Sequence, residues 1–296
     1  MSLDRRQLLA WGGALAAGTA AAQTNAGARA GRSIAGSGAR RIGLALGSGS
    51  ARGFAHIGVL QALDEAGIAA SAVAGTSAGS LVGVMYAAGL SPWRMQELAL
   101  TVRDIDVVDM ASGNRRGMVS GYALQRLVNG YLGNKPIEAL PRRFAAVCTD
   151  LSSGELVALA QGDAGAAVRS SCSIPGVFVP NQHAGRELVD GGLVSPLPIQ
   201  TVRNLGADWV IAIDVGSRPS KSPRAGLYEI ILQSFEIMGR ALSTLEQQQA
   251  DFLIQVDTDR FDSADFNKRK DLIEAGYLAG QRALPALRRL LAQANG

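Results

Sequence analysis

Ala70-Ser71-Ala72-Val73-Ala74-Gly75-Thr76-Ser77-Ala78-Gly79-Ser80-Leu81-Val82-Gly83-Val84-Met85-Tyr86-Ala87-Ala88-Gly89 decides the fold. Ala70 to Ala74 is a short apolar run and predicts a buried strand. Gly75 to Gly79 is a turn of small residues. Ser80 to Ala88 is apolar and small and predicts a helix stopped by Gly89. A G-x-S-x-G between strand and helix puts its serine on a sharp, strained turn with the hydroxyl clear of the sheet. Gly75 and Gly79 are needed because such a turn brings backbone segments together. The amide of Ala78 then opens a helix whose dipole favours negative charge, a place for an oxyanion. The plainer reading is an ordinary glycine-rich strand-to-helix turn.

The same alternation extends on both sides. Ile42 to Leu46 predicts a strand, Gly47-Ser48-Gly49-Ser50-Ala51-Arg52-Gly53 a loop, and Phe54 to Ala66 a helix with apolar residues at Phe54, Ile57, Leu60 and Leu63. Further strands are predicted at Phe144–Thr149, Gly154–Ala160, Trp209–Val215 and Phe252–Val256, and a hairpin at 181–192. Further helices are predicted at Pro92–Val102, Ala164–Ser171, Ile199–Leu205 and Gly226–Gln249. A last helix, Lys268–Leu291, is expected to be interrupted by Pro285. Residues 103–121 are polar and irregular, a candidate mobile rim or lid. This order predicts an α/β fold with a mostly parallel sheet covered on both faces. With 47% hydrophobic residues in 296, one domain from about residue 42 is the simplest partition.

Charge excludes one class of partner. The formal net charge is +4, but residues 1–41 hold six arginines against one aspartate. The body is therefore close to neutral, and nucleic acid is not expected as a partner. The start of the chain reads as a leader. Arg5-Arg6 precedes an uncharged run from Ala10 to Ala22 that is too short to span a membrane. Residues 1–22 are expected to be a twin-arginine export signal, which would place the protein in the periplasm or on a membrane there. Residues 23–41 are expected to be a flexible linker. Cys148 and Cys172 have no metal-site spacing, so no metal is expected.

The loop at Gly47 to Gly53 could cradle a phosphate. Its spacing is G-x-G-x-x-x-G, one place too long for a dinucleotide fingerprint, and no Lys follows as in a P-loop. The alternative is a second source of oxyanion amides, at Gly49 and Ser50, with Arg52 steadying the loop or meeting a phosphate headgroup. A serine nucleophile needs a base. His56 falls just inside the first helix and reads as structural. His183 lies in a polar, exposed segment. Asp190, in Leu188-Val189-Asp190-Gly191-Gly192, is the better candidate, because Gly191 and Gly192 let the chain turn the carboxylate toward a neighbouring loop. It must be desolvated to act near neutrality. A turn aspartate capping its own loop is the other reading.

Together these residues resemble the patatin-like phospholipases, bacterial members in particular. The resemblance rests on Gly47 to Gly53, on Gly75 to Gly79 and on Asp190-Gly191-Gly192, in that order. Cys148 to Glu155 and Ser171 to Phe178 support it. It implies a three-layer α/β/α fold related to the α/β-hydrolases, with a motif-bearing core at about 42–216 and a C-terminal helical extension at 217–296. It implies a Ser77–Asp190 dyad without histidine, oxyanion donors in the glycine loop, and no metal or cofactor. The expected substrate is a phospholipid or lysophospholipid ester met at a membrane surface. Acyl transfer to another acceptor, or a silent lipid-binding role, are the rival readings. Ser48 and Ser50 stand where many members have glycine. A positive φ at Ser50 would cost about 1 kcal/mol or more.

Overall fold

The computed structural model describes residues 40–111, 113–217 and 226–294. Residues 1–39, which hold the predicted export signal and nearly all of the predicted linker, lie outside them. In chain order the elements are β1 (Ile42–Leu46), α1 (Ala55–Glu65), β2 (Ala72–Thr76), α2 (Ala78–Ala87), α3 (Pro92–Thr101), α4 (Asp104–Val107), α5 (Tyr122–Leu132), β3 (Arg143–Asp150), β4 (Leu156–Leu159), α6 (Ala164–Ser171), β5 (Asn181–His183), β6 (Arg186–Asp190), α7 (Ile199–Asn204), β7 (Trp209–Asp214), α8 (Leu227–Glu246), β8 (Phe252–Gln255) and α9 (Arg269–Ala294).

One sheet joins all eight strands in the order β5-β6-β3-β2-β1-β7-β8, with β4 paired to β3. β3, β2, β1, β7 and β8 run parallel, and β4 and β6 lie antiparallel to β3. The parallel strands are continuous apolar runs because both faces are covered. Period-2 alternation sorts them. Leu44, Leu46, Val73, Ile211 and Ile213 face the larger core, beneath α1, α2, α3, α5, α6 and α9. Ala45, Ala74, Val210 and Ala212 face the smaller core, built with Ile199 and Val202 of α7. The result is three layers, α/β/α.

Four expectations need correcting. β2 runs on to Thr76 and α2 begins at Ala78, so the turn between them is Ser77 alone. α5 falls where no element was predicted. Its apolar residues Leu124, Val128 and Leu132 recur every fourth position and are buried, and Gly133 at φ 62° ends it. Pro285 does not interrupt α9, which continues through it. Leu284 and Leu287 on either side are buried in the core, and that packing outweighs the hydrogen bond the proline removes. Residues beyond 216 are more than a helical extension. β8 extends the sheet beside β7, and α9 packs on α1 at separations only glycine permits. A Cβ on Gly58 would lie 1.8 Å from the Ile273 carbonyl, and one on Gly276 would lie 1.9 Å from that of Ala55.

The edge of β3 positions the site. Ala146 and Val147 pair with both β2 and β4, while Cys148 and Thr149 pair with both β4 and β6. β2 and β6 therefore share the edge opposite β4. β2 ends at Thr76, opposite Val147, and β6 takes over one residue later, where Asp190 lies opposite Cys148. Two strands running toward each other along one edge bring Ser77 and Asp190 together.

Candidate active site

Ser77 stands between β2 and α2 with φ 54° and ψ −124°, a region costly for any side chain but glycine's. The turn is held on every side. The Ser77 amide donates to the Ser171 hydroxyl at 2.9 Å, and that hydroxyl donates to the Val147 carbonyl at 2.6 Å. The Thr76 hydroxyl donates to the Ser195 carbonyl at 2.8 Å. Close backbone approach explains both flanking glycines. A Cβ on Gly75 would lie 2.2 Å from the Gly79 carbonyl oxygen, and one on Gly79 would lie 2.2 Å from that of Leu46.

Asp190 ends β6 with its carboxyl fully buried. Its amide donates to the Ser173 carbonyl at 2.9 Å, and its own carbonyl accepts from the Thr149 hydroxyl at 2.9 Å. Oδ1 accepts from the Gly192 amide at 2.8 Å, so the loop-capping reading is correct. Oδ2 is buried with no partner among the described residues, so the carboxyl also has an oxygen to offer. Burial pushes this acid up to about 7, against the opposing influence of the Ser77 hydroxyl and the Gly192 amide. Ser77 lies near enough to act on Asp190, although no hydrogen bond of normal geometry closes between them. The Gly191 and Gly192 turn is packed tight. A Cβ on Gly191 would lie 2.2 Å from the Val147 carbonyl, and Phe235 of α8 covers Gly192.

The glycine loop leaves β1 at the same end of the sheet. The amides of Ser48, Ala51 and Arg52 are engaged, by the carbonyls of Pro196, Ser263 and Gly49. Those of Gly49, Ser50 and Ala78 carry no hydrogen bond among the described residues, and these are the three expected oxyanion donors. Ser50 has φ 51°, the strained value anticipated for a serine in a glycine's place. Gly47 is pinned at both ends of its peptide groups: its amide donates to Ile213 at 3.0 Å, and its carbonyl accepts from His56 Nε2 at 2.8 Å. His56 is thus an anchor of the loop. Burial lowers its pKa to about 4, so the ring is neutral. Gly53 passes against Ala78, where a Cβ would come within 2.4 Å of that side chain. Arg52 is buried in an ion pair with Glu236 of α8 at 3.0 Å, so its charge is compensated within the protein. His183 is exposed on β5, away from these residues.

Two cavities meet at Ser77. The apolar one, about 220 Å³, is lined by side chains such as Leu81, Met85, Met95, Leu98, Leu124 and Phe178. The smaller one, about 70 Å³, is lined by the charged side chains of Arg52, Asp214, Glu236 and Arg240 and by Leu232 and Phe235, together with Asp190 and Ser243. Ser50, Ser77 and Ile174 belong to both. The thiol of Cys172 lies on the apolar side, 3.9 Å from the Ser80 hydroxyl, and burial pushes its pKa up, which keeps it protonated. Both cysteines are free. Among the described residues no three His, Cys, Asp or Glu side chains are grouped to hold a metal ion.

Sequence reasoning missed Ser171 and Ser173. The first holds the Ser77 amide and the second holds the Asp190 amide, so one tripeptide sets the serine and the carboxyl against each other. Their only sequence signal is the stretch from Ser171 to Phe178, which gives no hint of what each residue bonds.

A strained serine at the carboxyl end of a parallel sheet, opening a helix, is the geometry of a G-x-S-x-G nucleophile elbow on a three-layer α/β/α fold. This chain belongs to the patatin-like phospholipase family, whose model matches residues 44–203. An NTE family protein of Mycobacterium tuberculosis is 37% identical over 217 residues, which cover 72% of this chain and 59% of that one. Lysophospholipase NTE1 of Coccidioides immitis is 29% identical over 295 residues, covering 84% of this chain and 18% of that protein. The chain thus spans little more than half the length of the mycobacterial relative. The crystal structure of VipD from Legionella pneumophila shares the fold, with a TM-score of 0.55 at 16% identity over 86% of this chain and 67% of that one.

Proposed function

We propose that this protein hydrolyses acyl esters of phospholipids or lysophospholipids, with Ser77 as nucleophile and Asp190 as the only base. The observation that carries the reading is the meeting at Ser77 of an apolar cavity, three unengaged amides and a buried carboxyl whose pKa is about 7. The acyl chain enters the apolar cavity and the polar alcohol portion lies toward Arg240 and Ser243. Ionised Asp190 takes the Ser77 proton through Oδ2 as the Ser77 oxygen attacks the ester carbonyl. The amides of Gly49, Ser50 and Ala78 hold the oxyanion. Collapse expels the alcohol, which takes the proton back from Asp190. Water then attacks the acyl-enzyme by the same route and frees the fatty acid and Ser77.

The leader adds a place of action. Arg5-Arg6 and the apolar run to Ala22 support export by the twin-arginine route, and the substrate class supports work at a membrane surface.

A p-nitrophenyl acyl ester and a fluorophosphonate test the chemistry directly. Wild type is expected to turn over the ester and to take the fluorophosphonate on Ser77, located by mass spectrometry. Labelling of another residue, or turnover that survives Ser77→Ala, sinks the assignment.

A further inference from the structure

Helix α8 carries its polarity the wrong way round. Three of its charged residues, Glu236, Arg240 and Glu246, turn inward, onto Arg52, Asp214 and the Leu197 amide respectively. Its outward face runs through Ile230, Ser234, Ile237, Met238, Ala241 and Leu245, none of them charged. The large members of that face are open to solvent: Ile230 is 51% exposed, Ile237 52%, Met238 50% and Leu245 62%. Burial of a Met, Ile or Leu side chain is worth about tenfold or more in an equilibrium constant, so this face favours a partner that removes it from water. No helix among the described residues is long and apolar enough to cross a membrane, so α8 does not span one.

We propose that the uncharged face of α8 docks on a lipid surface and sets the helix that walls the site against it. The choice of lipid rests on the proposed hydrolysis of lipid esters, but the argument for the surface is geometric. α8 walls the smaller cavity through Leu232 and Phe235, and Ile231 packs at Gly176, two residues from Ile174, which both cavities share. A second exposed apolar group lies at the apolar cavity. Val108 lines that cavity and is 43% exposed, and Met110, paired in strand fashion with Val119, is 70% exposed. Exposed apolar residues therefore stand on segments that line each of the two cavities. An acyl chain that passed through water to reach Ser77 would expose every methylene on the way. Contact between these residues and the lipid surface removes that step.

The test uses the full chain carrying Ser77→Ala, so that vesicles are not consumed, and a second protein carrying Ile237→Asp and Met238→Asp as well. Co-sedimentation with phosphatidylcholine vesicles containing phosphatidylglycerol is expected to show binding that falls about tenfold or more with the two aspartates. A nitrobenzoxadiazole label on a cysteine placed at Leu245 is expected to shift to the blue on vesicle addition, while one at Arg288 of α9 does not. The leader is common to both proteins and cannot produce that contrast. In the Ser77-intact background, the two aspartates are expected to leave hydrolysis of a soluble butyryl ester within about twofold, which shows that the fold and the site are kept. Equal vesicle binding by both proteins, or no shift at 245, overturns the proposal. So does a concentration-dependent dimer that the aspartates dissociate, since the face then belongs to a second copy. Vesicle binding by a chain that hydrolyses no ester leaves the docking surface standing and removes the catalytic reading instead.

Discussion

Ser77 and Asp190 are both held in states that cost stability. Ser77 has a φ of 54°, and Asp190 is an acid buried with one oxygen unpartnered. Such costs mark a site shaped for chemistry. Two pH effects follow from the Asp190 pKa of about 7 against an ordinary value of 3.8. Only the ionised carboxylate can take the serine proton, so kcat/KM for a soluble ester should rise with pH through an apparent pKa near 7 and level off above it. A profile flat from pH 5 to 9 contradicts this. Stability runs the other way. The folded chain keeps a proton that the unfolded chain loses above about pH 4, so this residue lowers stability progressively between pH 4 and 7 and by its full amount above 7. Asp190→Asn removes the charge and should stabilise the fold by about 2–4 kcal/mol at pH 8.5, with the gain vanishing near pH 4. Urea unfolding of both proteins at the two pH values measures the difference. At this scale the sequence was most legible. Gly-x-Ser-x-Gly and Asp-Gly-Gly specify backbone geometry that few other residues allow. Ser171 and Ser173 were not legible, because a serine's role depends on which backbone groups folding brings to it.

Among the elements, the handover from β2 to β6 along one edge of β3 places the carboxyl beside the serine. The strands themselves could be read from their apolar runs, but the handover could not, since it depends on register and not on the pattern within either strand. α5 had a readable four-residue spacing, Leu124, Val128 and Leu132, next to a polar stretch that hid where it begins. The stretch 103–121, read as an irregular candidate rim or lid, holds the short helix α4 and is joined to the segment after α6 through Met118 and Val119, whose amides both donate to the Val177 carbonyl. The seam between α1 and α9 is another matter of approach distance. Gly276→Ala sets a methyl 1.9 Å from the Ala55 carbonyl and must push the helices apart. It should cost about 3 kcal/mol, read as a lowered midpoint in urea with activity kept at low denaturant. A midpoint equal to wild type means that the helices are not packed at this distance.

Over the whole molecule, large apolar residues on one face of the sheet and mostly alanines on the other, with Val210, build unequal layers. The apolar cavity lies in the larger one, among α2, α3 and α5. Its volume should set chain length. Leu98→Trp, which adds bulk to that wall, should lower kcat/KM for long acyl esters about tenfold more than for butyryl esters. An equal effect on both would place the acyl chain elsewhere. That such a cavity exists was not legible in the sequence, where its lining is indistinguishable from core. The central claim is that Ser77 and Asp190 together hydrolyse lipid esters without a histidine. Fatty-acid release from a lysophospholipid by wild type, Ser77→Ala and Asp190→Asn, compared side by side in folded protein, tests it most directly. Release by wild type that falls about 10³-fold or more in each variant is the predicted result. Release that persists in Asp190→Asn, or none from wild type that is folded and labels at Ser77, would contradict it.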